Sequence, residues 1–517
     1  MKKKVNSLKI MRVILALLFF IPFLFTFVDF TDKTNNVAKI AHFQVIPALV
    51  CGMIGILGIL LLLSFIFGRV YCSTLCPFGV LQDALERVTT YWMKKKKRLN
   101  RYGYKKPMNK LRYILLAITL IVFFAGSAEL LLKLDPYSNF GRIAANIFSP
   151  IYTGINNLAQ MALLHFDNYA LYYRGIYIVW ASFAFSMFVL LTIAVAVFLS
   201  GRIFCNTLCP AGALLSLVSR YSIFKIKVDK TLCNNCGLCE KGCKAQCIDS
   251  KNKEVDASRC VGCFNCLSAC TKGGIKYKRT NPLEALKKRQ PEKEAVNETS
   301  KSRREFIATS ATIAGSLPLM GIKADTGEAN VPDRSIPILP PGAKSLDHFN
   351  KRCTACHLCV AKCPTHVLKP AALQYGFGFM LKPHVDYSHG FCHYECALCS
   401  RVCPNGAIET KKGEKKLIQI GIAEFIVDRC IVYTEGTDCG ACSEHCPTQA
   451  VHMVPYEGTL TIPKLTEELC IGCGGCEYIC PVRPIRAINI IASKVQGTAT
   501  PPEIEEKVEI KVDDFGF

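Results

Sequence analysis

Twenty-four of the 30 cysteines in this 517-residue chain fall into six groups of four whose spacing suits metal chemistry. Two groups have the spacing CxxCxxCxxxC: Cys233, Cys236, Cys239, Cys243 and Cys260, Cys263, Cys266, Cys270. In four later groups the last cysteine precedes a proline: Cys353, Cys356, Cys359, Cys363; Cys392, Cys396, Cys399, Cys403; Cys430, Cys439, Cys442, Cys446; and Cys470, Cys473, Cys476, Cys480. Thiolates at these spacings bind 4Fe-4S clusters, whereas a zinc ribbon needs only two CxxC pairs and does not explain the recurrent CxxxCP ending. The sequence therefore predicts six 4Fe-4S clusters held by these 24 cysteines.

The first two groups stand in one compact stretch, which predicts an exchange of ligands. In a two-cluster protein, three closely spaced thiolates bind one cluster while the fourth binds its neighbour. We therefore expect two ligand sets: Cys233, Cys236, Cys239 with Cys270, and Cys260, Cys263, Cys266 with Cys243. Neither Cys243 nor Cys270 precedes the usual proline. Cys247 is a further thiol, for which a small buried packing role is the favoured interpretation.

One of the later groups also contains a haem-attachment pattern. Cys353, Cys356 and His357 form the motif CxxCH, which binds haem c in other contexts. Both cysteines are needed by the cluster group, so we do not expect haem there.

Four long apolar stretches must position this chemistry. They lie near residues 10–30, 45–68, 112–134 and 176–200, and each is long enough to cross about 30 Å of hydrocarbon. A buried helix of a soluble protein can mimic one such stretch, but four with basic flanks favour transmembrane helices. The predicted fold is an α-helical membrane domain of four transmembrane helices (residues 1–215) plus α+β ferredoxin-like 4Fe-4S domains.

The distribution of charge predicts the orientation of these helices. The net charge is +23. Only 19 of the 63 basic residues follow residue 330, compared with 21 of the 40 acidic residues, so the excess of positive charge lies in the N-terminal part of the chain. It includes Met1–Lys4 and the loop Lys94–Lys110, whereas Thr31–Phe43 and Asp135–Arg174 hold few basic residues. The positive-inside rule puts the basic loops in the cytoplasm. Residues 216–280, with the first two cysteine groups, then form a cytoplasmic two-cluster domain, and the lysines need no nucleic-acid partner.

A linker at residues 281–341 is rich in Lys, Glu, Ser and Pro. It contains Ser302-Arg303-Arg304-Glu305-Phe306-Ile307 followed by a weakly apolar segment, which resembles a twin-arginine export signal. A basic linker with a short amphipathic helix is the alternative. The export interpretation places residues 342–495, a four-cluster domain, outside the cytoplasmic membrane, followed by a tail at 496–517.

An internal repeat ends two of the apolar stretches. Gly68–Pro77 (GRVYCSTLCP) matches Gly201–Pro210 (GRIFCNTLCP), which indicates a duplicated two-helix unit. Parallel repeats imply a pseudo-two-fold axis along the membrane normal that brings the two segments together. The four cysteines could then line a shared redox or metal site, with simple packing as the alternative: Cys72, Cys76, Cys205 and Cys209.

With these motifs in hand, the chain resembles a fusion of two families. Residues 1 to about 280 resemble the membrane ferredoxin subunit of the quinol-oxidising module that serves periplasmic nitrate reductase, whose relatives include the nitrous oxide reductase regulatory protein. Residues 300–490 resemble that module's soluble partner and the methylamine-utilisation ferredoxin, including the twin-arginine segment and Pro340-Pro341-Gly342-Ala343. The resemblance implies the cluster ligands given above, a role for the paired CxxxCP motifs, and binding of quinol.

These observations predict an electron carrier of the bacterial cytoplasmic membrane with a possible quinol dehydrogenase role. It would pass electrons from the quinone pool to a periplasmic reductase or cytochrome acceptor; a redox assembly factor that reduces a metal centre of a client enzyme is the alternative. No histidine lies in the four apolar stretches, so b-type haem is not expected there. Glu129 is the one embedded carboxylate worth testing at a quinone site, although a helix-end glutamate facing headgroups is the favoured interpretation.

Overall fold

The computed structural model describes residues 6–28, 35–92, 102–281, 335–411 and 413–501. The basic run at residues 94–98, the twin-arginine-like segment and the C-terminal residues 502–517 lie outside these ranges. Three parts are distinguished below: a helical domain (residues 6–220), a first cysteine-rich domain (residues 221–281) and a second cysteine-rich domain (residues 335–501).

The helical domain is built from helices joined by tight turns. Its helices are α1 (Ser7–Val28), α2 (Asn35–Ala38), α3 (Val45–Val50), α4 (Ile54–Phe67), α5 (Tyr71–Thr74), α6 (Pro77–Trp92), α7 (Asn109–Phe124), α8 (Glu129–Leu134), α9 (Pro136–Ile143), α10 (Ser149–Leu164), α11 (Trp180–Ser200), α12 (Ile203–Thr207) and α13 (Pro210–Ser219). A 3₁₀ turn spans Lys39–Phe43, and Ala144–Phe148 form a π-helical turn between α9 and α10.

Two of the four predicted spans are single helices. By length and composition, α1 and α11 are apolar enough to cross a membrane, with 22 and 21 residues. The second stretch is divided between α3 and α4, and the third between α7 and α8. The breaks occur at Gly52 and Gly126, whose positive φ angles of 67° and 91° a helix cannot accommodate. The described residues thus support two of the four expected single-helix spans.

The internal repeat adopts the same local structure twice. Gly68 and Gly201 end α4 and α11 with φ angles of 77° and 62°, as glycine commonly does after the last helical turn. Pro77 and Pro210 then begin α6 and α13, where the missing N–H has no helical partner to lose. The sequence GRxxCxTLCP therefore encodes a helix stop, one short helix and a new helix start.

The cysteine-rich domains consist of short helices and two-stranded antiparallel sheets. The first contains β1 (Phe224–Val228), α14 (Leu238–Lys241), β2 (Ile248–Asp249), β3 (Glu254–Val255), α15 (Asn265–Ala269) and β4 (Ile275–Arg279), with β1 paired to β4 and β2 to β3. The second contains α16 (Leu346–Arg352), α17 (Leu358–Ala361), β5 (Leu368–Pro370), β6 (Pro383–Val385), α18 (Leu398–Val402), β7 (Ile418–Phe425), α19 (Ile431–Glu435), α20 (Ala441–Glu444), β8 (Val451–Pro455), β9 (Thr461–Leu465), α21 (Gly475–Ile479) and β10 (Ile488–Thr498). Its pairs are β5–β6, β7–β10 and β8–β9, and β10 continues past the predicted boundary at residue 495.

The two cysteine-rich domains pack against different ends of the helical domain. The first lies at the ends of α4 and α11: the Ile223 N–H donates to the Phe65 carbonyl over 2.8 Å, and the Arg202 N–H donates to the Lys244 carbonyl over 3.0 Å. The second lies against α9 and the start of α4, where the Cys51 thiol donates to the Pro404 carbonyl over 3.1 Å. The helical domain therefore separates the two groups of predicted cluster ligands.

Helix α1 runs from one of these contacts to the other, so its length gives the distance between them. Near its start, Arg12 donates to Asp83, which also binds Lys244 of the first cysteine-rich domain. Near its end, the Phe27 ring packs beside Gly141, which touches the carbonyl of Cys356 in the second. Fifteen helical residues separate Arg12 from Phe27, or roughly 22 Å along the axis.

Candidate functional site

The second cysteine-rich domain brings its cysteines together in four sets. In each set three thiols of one run lie near a fourth thiol from another run: Cys353, Cys356, Cys359 with Cys403; Cys392, Cys396, Cys399 with Cys363; Cys430, Cys439, Cys442 with Cys480; and Cys470, Cys473, Cys476 with Cys446. The exchange expected for the first two runs thus also describes the arrangement of the later four. The assignment of each cysteine as a ligand remains a prediction.

Two of these sets line small cavities. One cavity is bordered by all four of Cys363, Cys392, Cys396 and Cys399, and another by Cys430, Cys439, Cys442 and Cys480. Four thiols around one hollow match what a 4Fe-4S cubane needs, because each thiolate binds a different iron. Among the described residues no three His, Cys, Asp or Glu side chains stand close enough to hold a single metal ion.

In the first cysteine-rich domain the structure brings one set of predicted ligands together. Cys243 lies within electrostatic range of Cys260, Cys263 and Cys266, as the predicted exchange requires. Cys247 is buried, and its sulfur lies 3.6 Å from that of Cys243. The thiol of Cys247 therefore contacts a predicted ligand, which the packing interpretation did not anticipate.

His357 has both ring nitrogens engaged. Its Nε2 lies 2.9 Å from the Leu381 carbonyl, and its Nδ1 lies 3.2 Å from the Asn146 amide nitrogen of the helical domain. Burial, with the nearby charge of Arg142, lowers the pKa of His357 to about 3. The imidazole thus joins the two domains through hydrogen bonds.

The two CxxxCP segments meet in the interior of the helical domain. Cys72, Cys76, Cys205 and Cys209 are 3–5% exposed, and their sulfur atoms lie within electrostatic range of one another. The Cys209 sulfur accepts a hydrogen bond of 3.2 Å from the Gly212 N–H at the start of α13, and Cys76 accepts one from Gly79 at the start of α6. Burial raises the pKa of the Cys76 and Cys209 thiols well above the usual value, and these N–H groups oppose that shift because they stabilise a thiolate.

Two arginines cross between the repeats. Arg69 of the first repeat donates to the Cys205 carbonyl over 2.9 Å, and Arg202 of the second donates to the Cys72 carbonyl over 2.6 Å. Both guanidinium groups are buried, and Arg69 also lies 3.7 Å from the Cys72 sulfur. Each half of the duplication thus holds the backbone of the other through an equivalent arginine–carbonyl contact. The axis along the membrane normal stays a prediction.

Glycine is required beside each arginine. A Cβ on Gly79 would overlap the Cys72 carbonyl and stand 3.2 Å from Arg202. A Cβ on Gly212 would overlap the Cys205 carbonyl and stand 2.7 Å from Arg69. The repeated motif is therefore longer than CxxxCP: it is CxxxCPxG, and it ends at Gly79 and Gly212.

The surroundings of the four cysteines carry an excess of buried positive charge. Five cations lie at or next to the site, each at most 6% exposed: Arg12, Arg69, Arg112, Arg202 and Lys244. Burial would raise the pKa of Asp83, but three of these cations (Arg202, Lys244 and Arg12) hold it well below its usual range. One carboxylate shared by three cations leaves the site short of negative charge, and uncompensated buried charge is costly.

Several buried hydrogen-bond donors without a partner also indicate that the site lacks negative charge. The Nε of Arg69, the Nε and Nη1 of Arg112 and the Nε2 of Gln82 are buried without a hydrogen-bond partner. The other atom of the Gln82 amide, Oε1, lies 3.4 Å from the Cys205 sulfur. Because the terminal amide of Gln82 can rotate by half a turn, a thiolate at Cys205 would turn the Nε2–H toward sulfur. An anionic four-thiolate group fits these residues.

Arg69 and Arg202 belong to the repeat in the sequence, but the spacing of the cysteines gave no role to them or to Gln82, Asp83 and Lys244. A role for the two arginines could have been inferred, because a charged residue repeated at the end of two apolar stretches is costly without a function. Glu129, which we proposed to test at a quinone site, begins α8 and lies against the second cysteine-rich domain, where its Oε1 would be 2.8 Å from a Cβ on Gly378. A quinone role for Glu129 stays a prediction.

Comparison with known families defines the class of protein. A family model described as a 4Fe-4S binding domain matches residues 50–100 and 182–231, and each match contains one CxxxCP segment. Models described as 4Fe-4S dicluster domains match residues 256–367 and 437–483. The chain is therefore an iron-sulfur protein with several ferredoxin-type 4Fe-4S domains.

Individual relatives narrow the class. The chain is 29% identical over 150 residues to the ferredoxin-type protein NapF of Escherichia coli K12, covering 29% of this chain and 84% of the relative. It is 27% identical over 188 residues to NapG of the same strain (34% and 80%), and 28% identical over 214 residues to the methylamine utilization ferredoxin-type protein MauM of Methylobacillus flagellatus (40% and 85%). No solved structure matches. The chain is thus a ferredoxin-type electron-transfer protein that joins segments related to the Nap and Mau proteins.

Proposed function

We propose that this protein is bound to the bacterial cytoplasmic membrane and passes electrons from quinol to an acceptor on the periplasmic side, such as a terminal reductase or a cytochrome. The observation that carries the proposal is the position of the four CxxxCP cysteines. They are buried in the helical domain where it contacts the first cysteine-rich domain, since Arg69 donates to the Ser258 carbonyl over 3.1 Å. The second cysteine-rich domain contacts the helical domain near Phe27, about 22 Å from Arg12 along α1. A protein that joins two sets of clusters needs an intermediate redox centre in the domain that separates them.

The six cysteine groups would hold six 4Fe-4S clusters, which accept and donate one electron at a time. Two would lie in the first cysteine-rich domain on the cytoplasmic side and four in the second on the periplasmic side. The basic N-terminal half and the twin-arginine-like segment support this orientation.

The CxxxCP cysteines would bind an additional iron-sulfur centre shared by both repeats. Cys51, Cys72 and Cys76 are the cysteines of the first 4Fe-4S family match, and Cys205 and Cys209 are those of the second. Cys51 bonds to Pro404 and lies apart from the four. Arg69 and Arg202 hold the two backbones in register, and the excess positive charge stabilises a reduced, more negative centre.

Serine substitution tests the proposal. Cys72→Ser or Cys209→Ser is expected to abolish reduction of some clusters by quinol, while dithionite still reduces the six groups. Iron content should fall by no more than four atoms per chain. Cys51→Ser is the matched control, because serine keeps the hydrogen bond to Pro404. Equal rates of quinol-dependent reduction in Cys72→Ser, Cys209→Ser and the parent would reduce these cysteines to packing residues.

A further inference from the structure

The helical domain contains an apolar cavity beside the CxxxCP segment of the first repeat. Its volume is about 360 Å³, and it lies between α1, α4, the 3₁₀ turn before α3, and the start of α6. Phe19, Phe20 and Phe23 of α1 line it together with Leu60 and Leu63 of α4, and so do Leu75 and Pro77. The cavity thus reaches the two residues that flank Cys76.

The mouth and the interior of the cavity differ in exposure. Phe23 and Leu60, inside, are each 2% exposed, whereas Ile59 and Phe43 are 56% and 51% exposed. Apolar side chains at the mouth, on a surface of α4 that is itself apolar, would face hydrocarbon in a membrane. A molecule that enters this cavity therefore comes from the lipid phase.

The inner end of the cavity is polar. The buried Gln44 accepts a hydrogen bond of 2.7 Å from the Tyr71 hydroxyl, and its amide nitrogen donates to the Leu75 carbonyl over 3.2 Å. An amide nitrogen has two N–H groups, so one remains to donate into the cavity. Thr74 also lines this end, and its hydroxyl oxygen, which donates to the Val70 carbonyl, can accept a hydrogen bond.

We propose that this cavity binds the ring of a quinone or quinol, with Gln44 donating to one ring oxygen and Thr74 accepting from a quinol hydroxyl. The inference rests on the proposed function and locates its substrate. Flat aromatic and leucine walls suit a ring, the lipid-facing mouth suits an isoprenoid tail, and the volume lies in the range of small-ligand sites. An acyl chain could not form hydrogen bonds with the polar end of the cavity, and a water-soluble ligand could not enter through a mouth that faces hydrocarbon.

Filling the cavity tests the inference. Leu60→Trp puts an indole where the ring would lie, and Leu63→Trp narrows the mouth at a more exposed position, in case the first variant does not fold. Leu62→Trp is the matched control, because Leu62 is on the same helix, 57% exposed and outside the cavity. In nanodiscs, labelling by a photoreactive azido-ubiquinone or azido-menaquinone should fall at least tenfold in Leu60→Trp or Leu63→Trp and stay unchanged in Leu62→Trp. The parent should be labelled on the α1 or α4 peptides.

Two results would overturn the cavity assignment: equal labelling of all three variants, or competition by phospholipid as effective as competition by unlabelled quinone, which would indicate an acyl-chain site. The proposed function has a separate readout. If quinol fails to reduce the clusters of the parent protein while dithionite succeeds, the proposed function is wrong, wherever the label attaches. If quinol reduces the clusters but Leu60→Trp and Leu63→Trp are labelled as strongly as the parent, only the assignment of the cavity is wrong.

Discussion

At the scale of single residues, the two CxxxCP segments depend on groups that carry no metal chemistry themselves. Arg69 and Arg202 each hold the other repeat through a carbonyl, and Gly79 and Gly212 leave the room for that contact. The cysteine spacing alone was enough to identify the candidate site. It could not identify Asp83 or Lys244, because their roles depend on contacts between residues far apart in the chain.

The glycines give the sharpest residue-scale prediction. Gly79→Ala or Gly212→Ala should cost about 1–3 kcal/mol in stability, since the new methyl group overlaps a carbonyl and crowds an arginine. The same change should lower the rate of quinol-dependent cluster reduction. Gly58→Ala on α4 is the control, because nothing lies within 4 Å of its Cβ position. Thermal unfolding and stopped-flow reduction check both effects; equal behaviour of all three variants would contradict the close contact.

At the scale of elements, α9 is the surface on which the second cysteine-rich domain packs. Tyr137 and Gly141 of α9 approach Cys356, and Asn146 just beyond it bonds to His357. We predicted that these residues lie in a loop, Asp135–Arg174, because α9 is short and contains no apolar run. Its start is nonetheless encoded: Asp135 caps the helix by accepting from the Tyr137 and Ser138 N–H groups, and Pro136 is the first helical residue.

This contact can be tested by a small change on α9. A Cβ on Gly141 would overlap the Cys356 carbonyl and stand 2.9 Å from the Phe27 ring. Gly141→Ala should therefore loosen the second cysteine-rich domain, so that its clusters are reduced more slowly by quinol and its chain is cut faster by protease. Gly154→Ala on α10 has open space at its Cβ position and should match the parent. Unchanged proteolysis in Gly141→Ala would argue against the contact.

At the scale of the whole molecule, the structure departs from the sequence prediction in the helical domain, where two of the four predicted spans are single helices. The predicted domain boundaries stay predictions. Periodic cysteine spacing is a local signal, so the six groups could be read from the sequence. The length of an apolar stretch is also a local signal, but it does not show where a glycine will turn the chain. For this reason we predicted two single spans where the structure has helices divided at Gly52 and Gly126. The packing of the two cysteine-rich domains against different ends of the helical domain is a long-range property that composition could not supply.

The predicted cluster number sets a minimum for iron. Six cysteine groups at four irons each predict at least about 24 iron atoms per chain in anaerobically purified protein. Iron and acid-labile sulfide analysis, normalised to quantitative amino-acid analysis, measures this directly. Eight or fewer iron atoms would contradict the assignment of the groups.

The orientation predicts which parts of the chain a reagent can reach. A label attached after Phe517 should react from outside intact cells, and one attached within the Lys94–Lys110 loop should react only after the cytoplasmic membrane is opened. Changing Arg303 and Arg304 together to lysine should trap the second cysteine-rich domain in the cytoplasm. External reactivity at Phe517 in that double variant would refute export by the twin-arginine route.

The crossing of Arg69 and Arg202 also constrains how the protein is made. The hydrogen bond from Arg69 to Cys205 joins residues 136 positions apart. At roughly 5–20 residues per second, ribosomal synthesis leaves the first hairpin without its counterpart for about 7–27 s. During that interval Arg69 has no Cys205 carbonyl to bind, and Cys72 and Cys76 have no second pair of thiols. We therefore expect the proposed centre to be loaded with metal only after both hairpins have been translated, and two fragments divided between them should mature only when produced in the same cell.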